Sequence, residues 1–580
     1  MSEKTTVKKI RNNPKTLRIY EPVANVWELC THINGHGERQ LFLWKDPISG
    51  EDRSMTYGEL HNRIHAVAAA IDHAGLRGSR IAVTGPNSPM WIASYLGILA
   101  ADCIAVPMDK DVADSEMEGF LKIVDAEAVF FDTSMFEKIT GIAANCEKIK
   151  HLIMMQNDTL PESAPAIMTT FDAWVAEGQK QVDNGYTYPE VTDTHKMAEM
   201  LFTSGTTGTS KCVMLCQDNI FSVVTCACET VDFSKDDLII SLLPLHHTYE
   251  LACTMAGMNY GMTIAINDSL KNVVANFKKY RPTALVLVPL YVETFHRRIW
   301  AKARSSGQDK KLQTGMKISD ALLRAHIDVR KKIFSQVIDT MGGRLKKIIC
   351  GGAALSKDLI YEFESFGISI YEGFGITECA PLVAVTPYYD RKPGSIGPSV
   401  PCCEIRIGGD ISVNEKGMSE GEIQVRGSNV MLGYYQNEEA TKEAFTEDGW
   451  FRTGDIGTMD EDGYITITGR LKSVIVLENG KNVFPEEIEE HLAAIEEISE
   501  CVVVGRKDKR TGSIVLTALI YPDLAQFKGK EPAEIKAFFK ETIEQINRDL
   551  VSYKRVQKIE IVEEAFEKTT SRKIKRHLVK

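Results

Sequence analysis

A polar loop between two apolar stretches contains the residue types that hold a polyphosphate. Residues 203–211 read TSGTTGTSK. Glycines allow backbone N–H groups to turn toward an anion, the hydroxyls are small donors, and Lys211 adds a positive charge. A P-loop of the GxxxxGK[ST] type is excluded, because two residues separate Gly205 from Gly208 and Cys212 follows the lysine. The apolar flanks favour strands over a Ser/Thr-rich linker, so the sequence predicts a phosphate-binding loop of another kind.

Two glycine-rich segments later in the chain could surround a nucleotide. GGAAL (351–355) follows an apolar run, and small residues at the end of a strand leave room for a flat ring, although tight strand-to-helix packing favours them too. In YEGFGITE (371–378), the glycines permit close backbone approach and Thr377 offers a hydroxyl. Glu378 offers a hard oxygen ligand for the Mg²⁺ that a nucleotide carries.

Two other segments contain a carboxylate and a pair of histidines. GWFRTGD (449–455) ends in Asp455, whose carboxylate could accept hydrogen bonds from both hydroxyls of a ribose, although such an aspartate is also common in turns. LPLHHTYE (243–250) places His246 and His247 after an apolar run. Paired histidines are more often structural than catalytic. The segment also offers no third ligand that would indicate a metal site.

Alternating strand and helix patterns predict the elements that position these residues. Leu60, Ile64, Val67 and Ile71 recur at helical spacing before Gly75, which can end the helix. A second helix is predicted from Asn87-Ser88-Pro89 to Gly97. Apolar runs of strand length occupy 80–85, 103–109, 238–245, 284–290 and 345–352. This alternation predicts right-handed βαβ units and parallel sheets covered by helices.

The composition divides the chain into regions. Residues 1–22 form a basic tail, which is either solvated or weakly attracted to anionic lipid. Residues 23–471 form a large N-terminal domain, in which residues from about 396 to 471 alternate in polarity and predict a small β-barrel-like antiparallel subdomain. Residues 472–580 have apolar strands and helices of their own and predict a smaller α+β domain. The predicted fold class is therefore α/β.

Taken in order, these segments resemble the motifs of the adenylate-forming superfamily, which includes acyl-CoA synthetases, nonribosomal peptide adenylation domains and beetle luciferases. The resemblance extends from about Leu41 to the last residues and includes the segments from Gly469 and at 566–576. The LPLHHxxE version is more similar to long- and medium-chain fatty acyl-CoA synthetases than to amino-acid activators. The family fold implies that the C-terminal domain is a mobile lid that turns about Lys472.

The resemblance also implies catalytic roles. Thr377 contacts the α-phosphate, while Glu378 and Thr206 bind Mg²⁺. Lys573 reaches the junction of the acid and the α-phosphate, where it stabilises the charge that develops during transfer. His247 shapes the mouth of the acyl pocket together with Tyr249.

Further residues are implied to bind ATP or coenzyme A. Asp455 holds the ribose and Arg470 approaches the ribose and phosphate. Gly480 lies on the face of the lid that admits the pantetheine arm. The complete set is Thr203, Ser204, Gly205, Thr206, Thr207, Gly208, Lys211, Gly351, Gly352, Ala353, Glu372, Gly373, Phe374, Gly375, Asp455, Arg470, Lys472 and Gly480.

The sequence departs from the family pattern beside both lysines. Glu567 and Arg572 replace a proline and a glycine near Lys573, and Ser210 and Cys212 replace a proline and a glycine beside Lys211. Arg572 disfavours a positive φ, so the loop that carries Lys573 is expected to differ in shape. The alternative interpretation of residues 566–576 is a basic helix on the surface.

Charge and cysteine usage exclude other classes of protein. A net charge of −11 argues against a general nucleic-acid binder, and thirteen scattered cysteines lack zinc-site spacing. The N-terminus has no apolar signal region and no run of about 18 uncharged apolar residues occurs, so a soluble, cytoplasmic protein with reduced thiols is expected, with at most peripheral membrane contact. The basic segment 297–317 predicts an exposed insertion between helices.

Three functions fit these observations. The first is an AMP-forming fatty acyl-CoA synthetase that uses ATP, Mg²⁺ and coenzyme A. The second performs the same adenylation but transfers the acyl group to an acyl carrier protein, for which the basic segments 506–510 and 572–576 are candidate docking sites. The third is a nucleotide-binding homologue without ligase activity.

Overall fold

The computed structural model describes residues 21–580, with the exception of 157–158, 190–192, 204–209, 414–416, 478–480, 494, 509–512, 569–573 and 580. In this part of the chain, the strands are β1 Gln40–Lys45, β2 Asp52–Thr56, β3 Arg80–Thr84, β4 Ile104–Met108, β5 Ala128–Asp132, β6 His151–Met155, β7 Met168–Thr170, β8 Met197–Thr203, β9 Lys211–Cys216, β10 Leu238–Ser241, β11 Thr263–Ile266, β12 Ala284–Leu287, β13 Lys347–Gly351, β14 Ser369–Gly375, β15 Leu382–Val385, β16 Cys403–Val413, β17 Ser419–Gly427, β18 Gly433–Tyr434, β19 Phe451–Met459, β20 Ile465–Arg470, β21 Ile475–Val476, β22 Asn482–Val483, β23 Ile498–Lys507, β24 Ile514–Pro522 and β25 Lys558–Ile561.

Helices connect and cover these strands. They are α1 Val26–Gly35, α2 Tyr57–His73, α3 Pro89–Ala100, α4 Asp114–Ile123, α5 Phe136–Ala143, α6 Phe171–Asp183, α7 Gln217–Thr230, α8 Thr248–Tyr260, α9 Val273–Tyr280, α10 Pro289–Ser305, α11 Asp309–Arg324, α12 Arg330–Ile333, α13 Ser335–Thr340, α14 Lys357–Phe366, α15 Glu438–Glu443, α16 Pro485–Ala493 and α17 Pro532–Asp549. None of the described helices is long and apolar enough to cross a membrane.

Two eight-stranded sheets dominate the described part of the chain before residue 472. One has the strand order β15-β14-β13-β12-β10-β11-β1-β2, and the other has the order β18-β9-β8-β4-β3-β5-β6-β7. The inner strands pair in parallel, whereas the pairs β14/β15, β1/β2, β8/β9 and β9/β18 are antiparallel. The predicted apolar strands lie in these inner positions, because a parallel strand covered on both faces must be apolar throughout.

The helix α2 contains the predicted apolar positions and ends before Gly75, as expected, but α3 does not end where the sequence suggested. Thr56 and Glu59 form a capping box at α2. The helix α3 begins after the cap residue Ser88 and continues through Gly97 to Ala100. A Cβ at Gly97 would lie 2.5 Å from Val67 Cγ1, so this glycine permits close packing of α2 and α3. It was therefore wrong to interpret Gly97 as a helix end.

The predicted insertion at 297–317 is mostly helical. The helices α10 and α11 cover almost the whole segment, and only residues 306–308 lie between them. Its Ala, Lys, Arg and Leu residues are strong helix formers, which outweighs the polarity that suggested a loop. The helix α11 packs against α10 and α14. The segment is exposed, as predicted, but it is not irregular.

The chain after about residue 400 forms smaller sheets. Strands β16-β17-β19-β20 make an antiparallel four-stranded sheet, in agreement with the alternating pattern. After residue 472, β23-β24-β25 form a three-stranded sheet with α16 and α17. Their apolar residues form a hydrophobic cluster of their own, which includes Ile488, Leu516 and Phe539. This α/β architecture with an α+β C-terminal part is the predicted fold class.

Candidate active site

Neighbouring parallel strands bring the two glycine-rich segments together. Gly351 at the end of β13 is paired with Gly373 in β14. A Cβ at Gly351 would lie 3.0 Å from the Gly373 carbonyl oxygen and 3.5 Å from Tyr249 Cζ, so a larger residue would not fit without movement. The Tyr249 hydroxyl donates to the carbonyl oxygen of Ile349 at 3.2 Å. A small-residue surface therefore lies at the carboxyl ends of these strands, with Tyr249 packed beside it.

The other glycines of these segments serve the turns that follow. Gly352 has a φ of +91°, which favours glycine, and Ala353 is exposed. Phe374 is buried, and a Cβ at Gly375 would lie 2.5 Å from the Pro381 carbonyl oxygen. These positions leave backbone rather than side chain at the sheet edge.

The Glu372 side chain is fixed by a hydrogen bond inside the protein. Its side chain is buried, and its Oε2 accepts a hydrogen bond from the Gly394 backbone N–H at 2.8 Å. Burial raises the pKa of Glu372 to about 8. The structure thus uses this carboxyl group to hold the 391–395 turn beside β14.

A tyrosine that the sequence analysis missed connects the lysine of the phosphate loop to the predicted metal ligand. The Tyr434 hydroxyl donates to Glu378 Oε1 at 2.9 Å, and Lys211 Nζ lies 4.4 Å from the centroid of the Tyr434 ring. Burial, followed by the Glu378 carboxylate, raises the pKa of the tyrosine. Strand β18 positions the ring because Tyr434 pairs with Val213 of β9. The backbone N–H of Met431 also donates to the Glu378 carbonyl oxygen at 2.8 Å.

The two ends of the predicted phosphate loop are adjacent. Thr203 ends β8, Lys211 begins β9, and the two residues are paired across the antiparallel ladder. Thr377 lies in a short 3₁₀ turn with Glu378, and this turn contacts β9. The predictions for Ser204, Gly205, Thr206, Thr207 and Gly208 concern residues outside the described part of the chain.

Asp455 and Arg470 form an ion pair across two antiparallel strands. They are direct partners in the β19/β20 ladder, and Arg470 Nε lies 2.9 Å from Asp455 Oδ1. The Asp455 side chain is 4% exposed and that of Arg470 is 47% exposed. A buried carboxylate whose cationic partner is half exposed could accept hydrogen bonds from a polyhydroxyl ligand if the cation moved aside. Lys472 follows in the exposed 3₁₀ turn Leu471–Ser473.

The histidine segment is built around buried polar groups. His247 is the residue before α8, and its ring lies 4.3 Å from that of His246. Burial, followed by His247, holds the pKa of His246 well below its usual range. Glu250 is also buried and accepts a hydrogen bond from the Ser241 hydroxyl, and burial raises its pKa to about 8. Glu250 lies in the LPLHHTYE segment but was not among the predicted site residues.

The donor set fits a nucleotide-bound Mg²⁺ better than a protein-enclosed metal. In the described residues, no group of three or more His, Cys, Asp or Glu side chains is arranged to hold a metal ion. Mg²⁺ usually takes one or two carboxylates together with water and substrate phosphates. Glu378 can supply one such carboxylate. The predicted ligand Thr206, the predicted catalytic residue Lys573 and the predicted thiol-side residue Gly480 lie outside the described residues.

Comparison with known sequences identifies the group to which this architecture belongs. Residues 31–435 match the model of the AMP-binding enzymes, and residues 472–580 match the AMP-binding enzyme C-terminal domain. The long-chain-fatty-acid--CoA ligase FadD15 of Mycobacterium bovis is 29% identical over 82% of this chain and 79% of its own length. The long-chain-fatty-acid--[acyl-carrier-protein] ligase AEE15 of Arabidopsis thaliana is 26% identical over 86% and 76%.

Solved structures share the fold. The anthranilate CoA ligase AuaEII in complex with anthranoyl-AMP has a TM-score of 0.74 at 20% identity and covers 97% of this chain and 98% of its own. ATP-bound MatB from Rhodopseudomonas palustris has a TM-score of 0.71 at 24% identity, with coverage of 96% and 98%. These similarities extend through both parts of the chain.

Proposed function

The chain belongs to the family of AMP-binding enzymes, and on this premise we propose that it is an AMP-forming acid–thiol ligase. It activates a carboxylic acid, most suitably a fatty acid, with ATP and transfers the acyl group from acyl-AMP to the thiol of coenzyme A. The observation that carries this proposal is the Lys211–Tyr434–Glu378 cluster, in which Glu378 closely follows the glycine-rich end of β14. It brings a cation, a hard oxygen ligand and open backbone to one edge of the fold.

The first step joins two anionic groups. A carboxylate oxygen of the acid attacks the α-phosphorus of ATP, and pyrophosphate leaves with the electrons of the broken P–O bond. Lys211 and residues 203–209 bind the leaving phosphates, and Thr377 contacts the α-phosphate. Glu378 would hold Mg²⁺, which neutralises phosphate charge when it is bound. Lys573 stabilises the charge that develops at the junction of acid and phosphate.

The nucleoside and the acid occupy opposite sides of this centre. The glycine-rich residues 351–353 and 372–375 line the base and the start of the acyl site. Asp455 binds the ribose hydroxyls once Arg470 shifts from it to the ribose and phosphate, which the exposure of the arginine permits. His247 and Tyr249 border the acid. The names of the long-chain relatives support a fatty acid as substrate.

The second step needs a different arrangement of residues 472–580, which we propose form a lid. The lid turns about Lys472, withdraws Lys573 and presents Gly480 to the pantetheine arm. The separate hydrophobic cluster of this region supports movement as one body. The acyl carbonyl carbon is then attacked by the thiolate and AMP leaves. We place the reaction in the cytoplasm, where the thirteen cysteines stay reduced.

Acid-dependent exchange of labelled pyrophosphate into ATP tests the first step. We expect exchange with a fatty acid in a series from acetate to palmitate, and thioester formation when coenzyme A is added. Glu378→Gln should lose exchange, whereas Glu439→Gln at an exposed position should retain it. A folded protein that shows no exchange with any acid in the series, yet binds ATP tightly, would identify a nucleotide-binding homologue instead.

An acyl carrier protein is a second candidate acceptor, favoured by the similarity to the carrier-protein ligase AEE15. The two described arginines of the candidate docking segments are already paired: Arg506 with Glu560, and Arg576 with Glu486 and Glu489. This pairing favours coenzyme A. Thioester formation measured side by side with coenzyme A and a holo carrier protein decides between the acceptors.

A further inference from the structure

A strongly basic helical segment stands apart from the rest of this acidic chain. Residues 297–332 contain eleven Lys or Arg residues and three Asp or Glu residues, whereas the whole chain has a net charge of −11. The segment comprises most of α10, all of α11 and most of α12. The proposed ligase reaction uses none of these residues. The concentration of positive charge in this segment therefore suggests a role of its own.

The positive charge lies on one face of α11. Lys310, Lys317 and Arg324 are seven residues apart and therefore form one stripe along the helix. Lys311 and Ile318 form a second row beside it. All five side chains are exposed, whereas Leu312, Met316 and Ser319 on the opposite face are covered. The helix thus directs its cationic face toward solvent while it packs on α14 through the other.

Two of the three acidic residues of the segment are engaged by other groups. Asp320 accepts a hydrogen bond from the Ser365 hydroxyl, and Asp328 is paired with Arg330. Within the described part of the chain, Lys310, Lys317 and Arg324 take part in no ion pair. Their charge is available to an external partner.

Apolar side chains border the basic stripe. Ile318 is 50% exposed and Ile327, just beyond the helix, is 51% exposed. Lys331, Lys332 and the exposed Ile333 continue the same composition in α12. Basic residues interspersed with exposed isoleucines are the composition of a helix that lies in the interface of an anionic membrane.

We infer that the exposed face of α11, with residues 327–333, is a docking surface for an anionic lipid bilayer. Lysine and arginine side chains contact the lipid headgroups, and Ile318 and Ile327 enter the interfacial region. The combination of unpaired basic side chains with exposed isoleucines beside them favours an anionic lipid surface. The helices α10 and α14, which hold α11, begin just after β12 and β13 at the sheet edge of the active site. The inference goes beyond the ligase function and does not depend on it.

Sedimentation of the full-length chain with vesicles tests this surface. We expect binding to phosphatidylcholine vesicles that contain about a third phosphatidylglycerol, weak binding to pure phosphatidylcholine, and loss of binding at high salt. The triple variant K310E/K317E/R324E should bind the anionic vesicles about tenfold or more weakly. The variant K310R/K317R/R324K, which retains the charge, should bind like the unchanged chain.

Matched variants distinguish binding through this surface from an effect of net charge and from binding through the N-terminal tail. K528E/K536E/K540E changes the net charge equally at exposed lysines of the C-terminal region and should retain binding. K4E/K8E/K9E should also retain most of it. Circular dichroism verifies folding, and K310Q/K317Q/R324Q replaces the triple variant if the latter is misfolded.

Three outcomes would overturn the inference. The first is equal binding of the unchanged chain to anionic and neutral vesicles. The second is an equal loss of binding in the α11 and C-terminal triple variants, or a loss that follows the tail alone. The third is absence of binding of the unchanged chain to the anionic vesicles.

Discussion

The residues before 472 and those after it are held in different ways. Lys211, Tyr434 and Glu378 are fixed to one another through strand pairing of β9 with β18 and a hydrogen bond between side chains. Lys472 lies instead in an exposed turn between β20 and a separate hydrophobic cluster. The first group can therefore act in both half-reactions with the same geometry. Residues carried by the C-terminal region can act only when that region is suitably oriented.

The largest effect expected from this difference concerns Lys573. Lys573→Ala should slow acid-dependent pyrophosphate exchange by about 3–4 kcal/mol of transition-state energy, because it removes a donor that stabilises the developing charge. Thioester formation from supplied acyl-AMP should stay comparatively intact. Both half-reactions are measured on the same preparation, and Lys575→Ala, two residues away, serves as control. Equal slowing of both half-reactions would argue against a moving lid and would implicate Arg572.

The hinge should show the opposite separation of the two steps. Lys472→Pro fixes φ near −65° in a segment that must change its backbone angles, so adenylation should persist while thioester formation falls by about tenfold or more. Lys472→Ala, which leaves the backbone free, should have a smaller effect. The two parts meet closely beside this turn. Phe484 contacts Gly469, and a Cβ at Gly469 would lie 2.6 Å from Phe484 Cδ1. A proline variant with normal thioester formation would exclude Lys472 as the hinge.

A change within the fixed cluster should affect both half-reactions less. Tyr434→Phe removes a hydrogen bond to a carboxylate, which typically contributes about 1.5–3 kcal/mol. We expect about a tenfold higher Mg²⁺ concentration for half-maximal exchange, because Glu378 loses its orientation. Tyr435→Phe is the matched control, since Tyr435 lies on the opposite face of the chain beside Arg80. An unchanged Mg²⁺ dependence in Tyr434→Phe would mean that Glu378 does not depend on this tyrosine.

The contrast between regular elements and isolated contacts also explains what the sequence could predict. The strands β3, β4, β12 and β13 were predicted because local apolar runs report burial on both faces. Tyr434 was missed because β18 has only two residues and its partner β9 lies more than 200 positions earlier, so no local period marks it. The pairing of Asp455 with Arg470 likewise depends on register across a ladder, which the motifs alone do not specify.

Packing between helices should show how tightly the N-terminal core is built. Gly97→Ala places a methyl group 2.5 Å from Val67 Cγ1, so we expect a loss of about 1–3 kcal/mol in stability from overpacking. Gly119→Ala in α4 is the control, because no atom lies within 4 Å of a Cβ there and the helix should gain stability. Thermal unfolding followed by circular dichroism measures both. A Gly97→Ala variant as stable as Gly119→Ala would mean that α2 and α3 separate at low energetic cost.

The last expected effect is a change in the pH dependence of stability at Glu250. Its ordinary pKa of about 4.5 is raised to about 8 by burial. Below pH 4.5 the group is protonated in both states, whereas between pH 4.5 and 8 the unfolded chain releases the proton and the folded chain retains it. The contribution of Glu250 to stability is therefore fully present below pH 4.5 and is lost as the pH rises toward 8. Glu250→Gln should remove this pH dependence. Between pH 5 and 8, the Tm of the variant should fall about a few degrees less than the Tm of the unchanged chain. Glu439→Gln, at an exposed position, should follow the unchanged chain. Parallel Tm profiles for all three proteins would show that the Glu250 carboxyl group ionises normally despite its burial.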